Sequence, residues 1–229
     1  MPGHLGERAW PEVAASIDAV LAVPLGSTEQ HGPHLPLSTD TLVAVALADG
    51  LARARDDVVV APALPYGASG EHAGFAGTLS IGQAALEHVL VELGRSADDF
   101  AGVVFVCGHG GNAAPLARAA ATLAAEGRRV LAWSPRVPRG DAHAGRTETS
   151  LLLAVAPDLV RLGAAVAGAT EPLESLLPAL RSGGVRAVTA NGVLGDPGGA
   201  SAEEGRALLD SLVADLCGAV DAWRGTLGP

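Results

Sequence analysis

The chain alternates short apolar runs, each bounded by turn-forming residues, with longer segments of helical length. Short runs of this kind are typical of parallel strands that are covered on both faces. We predict strands at residues 19–24, 58–63, 103–107 and 129–133, and helices at residues 40–55, 82–98, 113–126, 147–156 and 201–223. Because strand and helix alternate, the predicted fold class is α/β, in which ligands bind at the carboxyl ends of the strands.

Composition narrows the class of protein. The 229 residues are 48% hydrophobic, which is enough to bury a full core, so we expect one domain over residues 1–229. Neither a membrane span nor a signal pattern is visible, and we expect a cytoplasmic protein without a membrane partner. The net charge is −10, with fifteen arginines, no lysine and no basic cluster, which argues against nucleic acid as a partner. Cys107 and Cys217 are far apart in apolar surroundings and are expected to be reduced thiols.

The loop after the first predicted strand, VPLGSTEQHGPHLPLSTDT, is rich in groups that bind metal ions. In an extended segment Glu29 and His31 point the same way, while Gln30 faces the other side. Asp40 falls in the first turn of the next helix, where a carboxylate is favoured in any protein. Together Glu29, His31 and Asp40 suit zinc, iron or manganese; the alternative is that they make loop hydrogen bonds.

A second motif, CGHGGN, follows the third predicted strand. Gly108, Gly110 and Ala113 match the dinucleotide-binding pattern G-x-G-x-x-A, but the acidic residue expected about twenty positions later is missing. The glycines also allow close backbone packing that leaves the imidazole of His109 over the edge of the sheet. We therefore interpret His109 as a metal ligand.

Two further segments carry candidate residues. DAHAGRTETS places His143 in a loop and Glu148 in the first turn of a helix, where a solvated histidine and a dipole-favoured carboxylate are the alternatives. Five candidate ligands from separate loops suffice for two ions that share a carboxylate. The long loop at residues 66–80 resembles a substrate wall, and His72 within it is a candidate substrate contact or a hydrogen-bonded loop histidine.

Competing catalytic schemes lack their motifs. The chain has no G-x-S-x-G, H-E-x-x-H, C-x-x-C or Walker sequence. A bound metal ion lowers the pKa of water to about 7, which provides a nucleophile for amide hydrolysis. A histidine whose pKa is near the ordinary value of about 6.5 can then protonate the departing amine, and His143 is our candidate.

The three motifs, in this order and at these spacings, resemble those of the creatininase family of metal-dependent amidohydrolases over about residues 20–156. The resemblance implies a three-layer α/β fold with a mostly parallel sheet, two divalent ions per subunit and a homo-oligomer, usually a hexamer. Carried over by position, it implies one ion held by Glu29, Asp40 and His109, a second held by His31, the bridging Asp40 and Glu148, and a proton-transfer role for His143.

Within that family the chain is most similar to peptidases that release a C-terminal dipeptide from a modified precursor peptide. Arg146 stands where many relatives have glutamate, and we predict that it binds the free carboxylate of such a substrate. The alternative is an exposed arginine that pairs with a neighbouring carboxylate. Two alternatives remain at this stage. One is a cyclic-amide or formamide hydrolase that uses the same metals, and the other is a non-catalytic metal-binding scaffold.

Overall fold

The computed structural model describes residues 3–14 and 18–225, which form one parallel sheet with helices on both faces. The strands are β1 (Gly3–His4), β2 (Val20–Leu25), β3 (Val58–Val60), β4 (Gly102–Cys107) and β5 (Val130–Trp133). The helices are α1 (Trp10–Ala14), α2 (Thr39–Ala54), α3 (Gln83–Ser96), α4 (Ala113–Ala125), α5 (Arg146–Val155), α6 (Leu173–Gly183) and α7 (Ala202–Gly225).

The strand order explains where a ligand can bind. The sheet runs β1-β3-β2-β4-β5, and every pair is parallel. The chain leaves β2 towards β3 on one side, whereas it leaves β4 towards β5 on the other. A crevice therefore opens between the carboxyl ends of β2 and β4, which is the position where open α/β sheets bind their ligands.

Alternating side chains of the strands fill two separate cores. Val20, Ala22 and Val104 face one side of the sheet, where α2, α5 and α7 cover them. Leu21 and Phe105 face the other side, beneath α3 and α4. Burial on both faces is the reason why these strands are apolar throughout rather than alternating in polarity.

The predicted α/β class and its parallel sheet are confirmed, and the four predicted strands and five predicted helices are present with shifted ends. Strand β3 stops before Pro62, which has no N–H to donate to a neighbouring strand. Strand β1 and helices α1 and α6 were not predicted; β1 has only two residues, and α6 contains Pro178. Cys107 and Cys217 are free thiols, as expected.

Within residues 3–14 and 18–225, every helix is too short or too polar to span a bilayer.

Candidate metal centre

The five predicted ligands come together at the crevice between β2 and β4. Glu29 and His31 lie in the loop after β2, and Asp40 lies in the first turn of α2. His109 follows β4, and Glu148 lies in the first turn of α5. Glu29, Asp40 and His109 form one group of potential ligand atoms within 4.8 Å of one another, and His31, Asp40 and Glu148 form another. Asp40 belongs to both groups, which is the arrangement that two ions with a shared carboxylate require.

Asp40 lies between two imidazole rings. Its Oδ1 is 3.0 Å from Nε2 of His31, and its Oδ2 is 3.2 Å from Nδ1 of His109. The hydroxyl of Ser27 donates a hydrogen bond of 2.6 Å to Oδ2 and fixes the rotation of the carboxylate. Each oxygen thus faces a different half of the cluster.

The carboxylate of Glu29 is fully buried, and neither oxygen has a well-aligned hydrogen-bond donor. Nε2 of His72 is 3.1 Å from Oε1, and Nε2 of His109 is 3.2 Å from Oε2. A buried carboxylate without hydrogen-bond donors is costly unless a cation compensates its charge. The residues present therefore fit a divalent metal ion.

The loop before α5 directs Glu148 towards this cluster. The backbone N–H of Ala144 donates a hydrogen bond of 2.6 Å to Oε2 of Glu148, which is 3.9 Å from Nε2 of His31. Ala144 has φ 52°, a left-handed conformation that is rare outside glycine. Asp141 holds the turn by accepting a hydrogen bond of 3.0 Å from the N–H of Thr147. The strained backbone thus aims an N–H at a candidate ligand.

His143 is anchored on both its backbone and its ring. Its backbone pairs with that of Leu194, and its Nε2 lies 2.8 Å from the carbonyl oxygen of Gln30. Since a carbonyl oxygen only accepts, Nε2 of His143 carries the proton. The lone pair of the neutral ring is then on Nδ1, which is 4.0 Å from Oε1 of Glu29.

The charges of the cluster shift the pKa values of its members. Burial, reinforced by the charge of Asp40, raises the pKa of Glu29 to about 7. Burial also disfavours the charged forms of Asp40 and His31, but the attraction and hydrogen bond between these two groups have a larger effect. The pKa of Asp40 is therefore well below its ordinary value, and the pKa of His31 rises to about 9. For Glu148, burial raises the pKa. Strong pKa shifts among neighbouring carboxylates and imidazoles are typical of functional sites.

Burial lowers the pKa of the other two histidines of the site. Burial lowers the pKa of His72 to about 4. Burial, together with the charges of His31 and His72, lowers the pKa of His143 well below its ordinary value. Burial among other histidines, which the sequence does not reveal, thus moves the pKa of His143 away from the ordinary value of about 6.5. Its role in proton transfer stays a prediction.

The predicted substrate contact His72 is buried at the edge of the cluster, in a short 3₁₀ turn at Gly70–His72. The neighbouring Glu71 brings Oε1 to 3.4 Å from Nε2 of His109. Together, Glu29, Glu71 and His72 form a further group with ligand atoms within 4.8 Å. We did not assign Glu71 from the sequence, although its position beside His72 in the long loop was a usable signal.

The structure does not bring Arg146 to the metal ligands. Its Nε donates hydrogen bonds of 3.0 and 2.8 Å to the two oxygens of Glu204, and half of its side chain is exposed. It lines a surface cavity of about 740 Å³ together with Asp141 and Arg139. A smaller cavity of about 180 Å³, which also touches Asp141, reaches Asp40 and Glu148. The role of Arg146 in binding a substrate carboxylate stays a prediction.

The alternation of an extended strand predicted that Gln30 faces away from the site, but its side chain faces the site. Its amide nitrogen lies 2.8 Å from Nδ1 of His72 and 3.1 Å from Nε2 of His143. The loop bends at Gly32, which has φ 64°, so the simple two-residue alternation does not hold.

Fold and site together define a metal-dependent hydrolase of the α/β class, and the sequence comparisons identify its family. A family profile for creatininase, described as creatinine amidohydrolase, matches residues 6–220. The chain belongs to the creatininase family.

Two curated relatives differ in the substrate that their names state. The mycofactocin precursor peptide peptidase of Mycolicibacterium smegmatis is 50% identical over 230 residues, which cover 97% of this chain and 92% of the relative. The creatinine amidohydrolase of Pseudomonas putida is 30% identical over 256 residues, covering 94% of this chain and 95% of the relative.

Solved structures of creatininase share the fold. A creatinine amidohydrolase crystal structure superposes with a TM-score of 0.82 at 29% identity, covering 100% of this chain and 99% of the other. A manganese form of creatininase gives a TM-score of 0.83 at 28% identity, covering 100% of both chains. A Zn-Zn form of a creatininase variant gives 0.80 at 28% identity, again covering 100% of both chains.

Proposed function

We propose that this chain is a dinuclear metal-dependent peptidase that releases a C-terminal dipeptide from the modified mycofactocin precursor peptide. The observation that carries the proposal is Asp40, whose two oxygens face His31 and His109 in two overlapping groups of ligands. The name and the 50% identity of the mycobacterial relative support the peptide substrate. The match over residues 6–220 supports our proposal that the chain forms one domain.

The ligand set suits two divalent ions. We propose that Glu29, Asp40 and His109 hold one ion, and that His31, Asp40 and Glu148 hold the other. Zinc and manganese are supported by the forms of creatininase that share this fold, and iron stays a prediction from the oxygen and nitrogen ligands. Ions bound there would supply Lewis acidity to the amide carbonyl and make water a nucleophile at neutral pH.

His143 is the proposed proton carrier. Its Nε2–H is held by the carbonyl oxygen of Gln30, so Nδ1 is the atom free to exchange a proton on the side of Glu29. In this proposal Nδ1, which carries the lone pair, takes up a proton from the attacking water and then delivers it to the departing amine. The strand-like pairing with Leu194 keeps the imidazole oriented during both transfers.

His72 is proposed to contact the substrate next to the scissile bond. Its Nε2 lies 3.1 Å from Glu29, so the ring borders the reacting centre without belonging to either proposed ligand group.

A structural metal site would be coordinatively closed, whereas two sites that share one carboxylate leave positions for water and substrate. This argues for an enzyme rather than for a metal-binding scaffold.

The proposal is tested by incubating zinc-loaded and manganese-loaded protein with the radical-modified precursor peptide and measuring peptide masses. We expect loss of a C-terminal dipeptide, no cleavage by the metal-depleted protein and recovery when metal is added back. Asp40→Ala is the inactive control. An unchanged peptide with fully metal-loaded protein would contradict the proposed substrate.

Creatinine is tested in parallel, because a relative with 30% identity is named for that reaction. If creatinine is hydrolysed and the peptide is not, the chain is a cyclic-amide hydrolase. If neither is hydrolysed by metal-loaded protein, the amide hydrolase proposal itself is rejected.

We further propose a cytoplasmic homo-oligomer, with a hexamer as the assembly expected from the family resemblance. Leu162, Val166 and Leu173 are exposed on the single chain, and a homo-oligomer could cover apolar side chains of this kind. Analytical ultracentrifugation of the purified protein tests the assembly.

A further inference from the structure

The amide of Gln30 lies at the junction of three segments that are far apart in the sequence. Its Nε2 is 2.8 Å from Nδ1 of His72, 3.1 Å from Nε2 of His143 and 3.0 Å from the carbonyl oxygen of Gly192. Its Oε1 accepts a hydrogen bond of 2.9 Å from the N–H of Gly32. The side chain is buried, so these contacts take the place of hydration.

The orientation of the amide follows from its two backbone partners. The N–H of Gly32 only donates and therefore binds the amide oxygen, while the carbonyl of Gly192 only accepts and therefore binds the amide nitrogen. A flipped amide would face its oxygen towards the Gly192 carbonyl oxygen. The nitrogen must accordingly be the atom that faces the two histidines.

This orientation determines which nitrogen of His72 carries a proton. One N–H of Gln30 is used by Gly192, and the other is directed at Nδ1 of His72, which must be an acceptor. The proton of His72 is then on Nε2, 3.1 Å from Oε1 of Glu29. His143 already donates its Nε2–H to the Gln30 carbonyl oxygen, so its contact with the Gln30 amide is a packing contact.

A second observation also indicates that the position of the Gln30 amide is fixed by its surroundings. Gly192 has φ 81°, and a Cβ at this position would overlap the side-chain amide of Gln30. The chain therefore has glycine where the Gln30 amide needs space as well as a carbonyl acceptor. Gly127 has the same φ of 81°, but a Cβ there would meet open space.

We propose that Gln30 is a positioning residue that fixes the tautomer of His72, with its proton on Nε2, and packs against the ring of His143. It acts through these two rings and does not itself touch the reacting atoms. The inference rests on the proposed function for its catalytic consequence, but the tautomer of His72 is a property that is measured independently of activity.

The direct test is NMR of zinc-loaded protein with ¹⁵N-labelled histidine, using His72→Asn to assign the His72 signals. In the wild type we expect an unprotonated Nδ1 and a protonated Nε2 in His72. In Gln30→Leu, which removes the donor, we expect a mixture of tautomers. Gln83→Leu, at the exposed start of α3, is the matched control and should match the wild type.

The kinetic test separates positioning from binding. For Gln30→Leu we expect kcat to fall about 10- to 100-fold, the usual effect of losing a residue that orients a site, with little change in KM or zinc content. Gly192→Ala should lower kcat in the same way by displacing the amide. Gly127→Ala introduces the same backbone strain in open space and should leave kcat unchanged.

Several results would overturn the assignment: a proton on Nδ1 of His72 in the wild type, or His72 signals that are identical in Gln30→Leu. A wild-type kcat for Gln30→Leu on a peptide that the wild type cleaves would do the same. If the wild type cleaves no peptide but the NMR result is as expected, the proposed function fails while the positioning of His72 by Gln30 stands.

Discussion

Replacement of Gly205 by alanine is expected to destabilise the fold and to disturb the metal centre at a distance. Gly205 is buried on α7, where this helix packs closely against α5, the helix that carries Glu148. A Cβ at position 205 would overlap the carbonyl oxygen of Ser150 and lie 2.5 Å from its carbonyl carbon. Carbon atoms in contact are about 3.5–4.0 Å apart, so the two helices must separate by roughly 1 Å.

The size of the effect is isolated by a second glycine on the same helix. Gly218 is exposed, and a Cβ there would meet nothing within 4 Å. Both substitutions gain helix propensity, about 0.8–1.0 kcal/mol in an exposed helix interior. Overpacking costs about 1–3 kcal/mol, so Gly205→Ala should be less stable than Gly218→Ala by about that amount.

Urea and thermal unfolding of the metal-depleted proteins measure this difference. For a chain of this length, the expected gap in Tm is about 2–12 °C, with Gly218→Ala at or above the wild type. Because α5 must move, Gly205→Ala should also bind zinc more weakly than Gly218→Ala. Equal stability of the two variants would refute the close approach of α5 and α7 on which the reasoning depends.

Three further predictions concern the site. Asp40→Ala should lose most of its metal and its activity together, because Asp40 belongs to both ligand groups; elemental analysis that finds two ions per chain in this variant would contradict the shared carboxylate. His143→Ala should keep its metal, while kcat falls by about 10² to 10⁴ as proton transfer is lost; metal loss on this change would make His143 a ligand. Arg146→Met should change the free energy of unfolding by less than about 1 kcal/mol, because its ion pair with Glu204 is largely exposed. If Arg146 also binds the substrate carboxylate, Arg146→Met should lower kcat/KM on a peptide with a free C-terminus by about 1.5–3 kcal/mol of transition-state stabilisation. The loss on the amidated peptide should be much smaller. Equal losses on the two peptides would exclude that role.

The fold class and the proposed ligands could be predicted because both depend on short stretches of sequence. Strands covered on both faces are apolar throughout, and their carboxyl ends must lie at one edge of a parallel sheet. Glu29, His31 and His109 follow such strands directly, so their proximity followed from the order of the elements. Their joint position with Asp40 is therefore visible before any coordinates are known.

Only the tertiary structure decided how the remaining groups of the site are arranged. The partner of Arg146 is Glu204 on α7, and the tautomers of His72 and His143 depend on Gln30 and Gly192. These contacts join segments separated by dozens of residues, and no local pattern encodes which atoms meet. The pKa of a buried histidine likewise depends on desolvation and neighbouring charges, which exist only once the chain has folded.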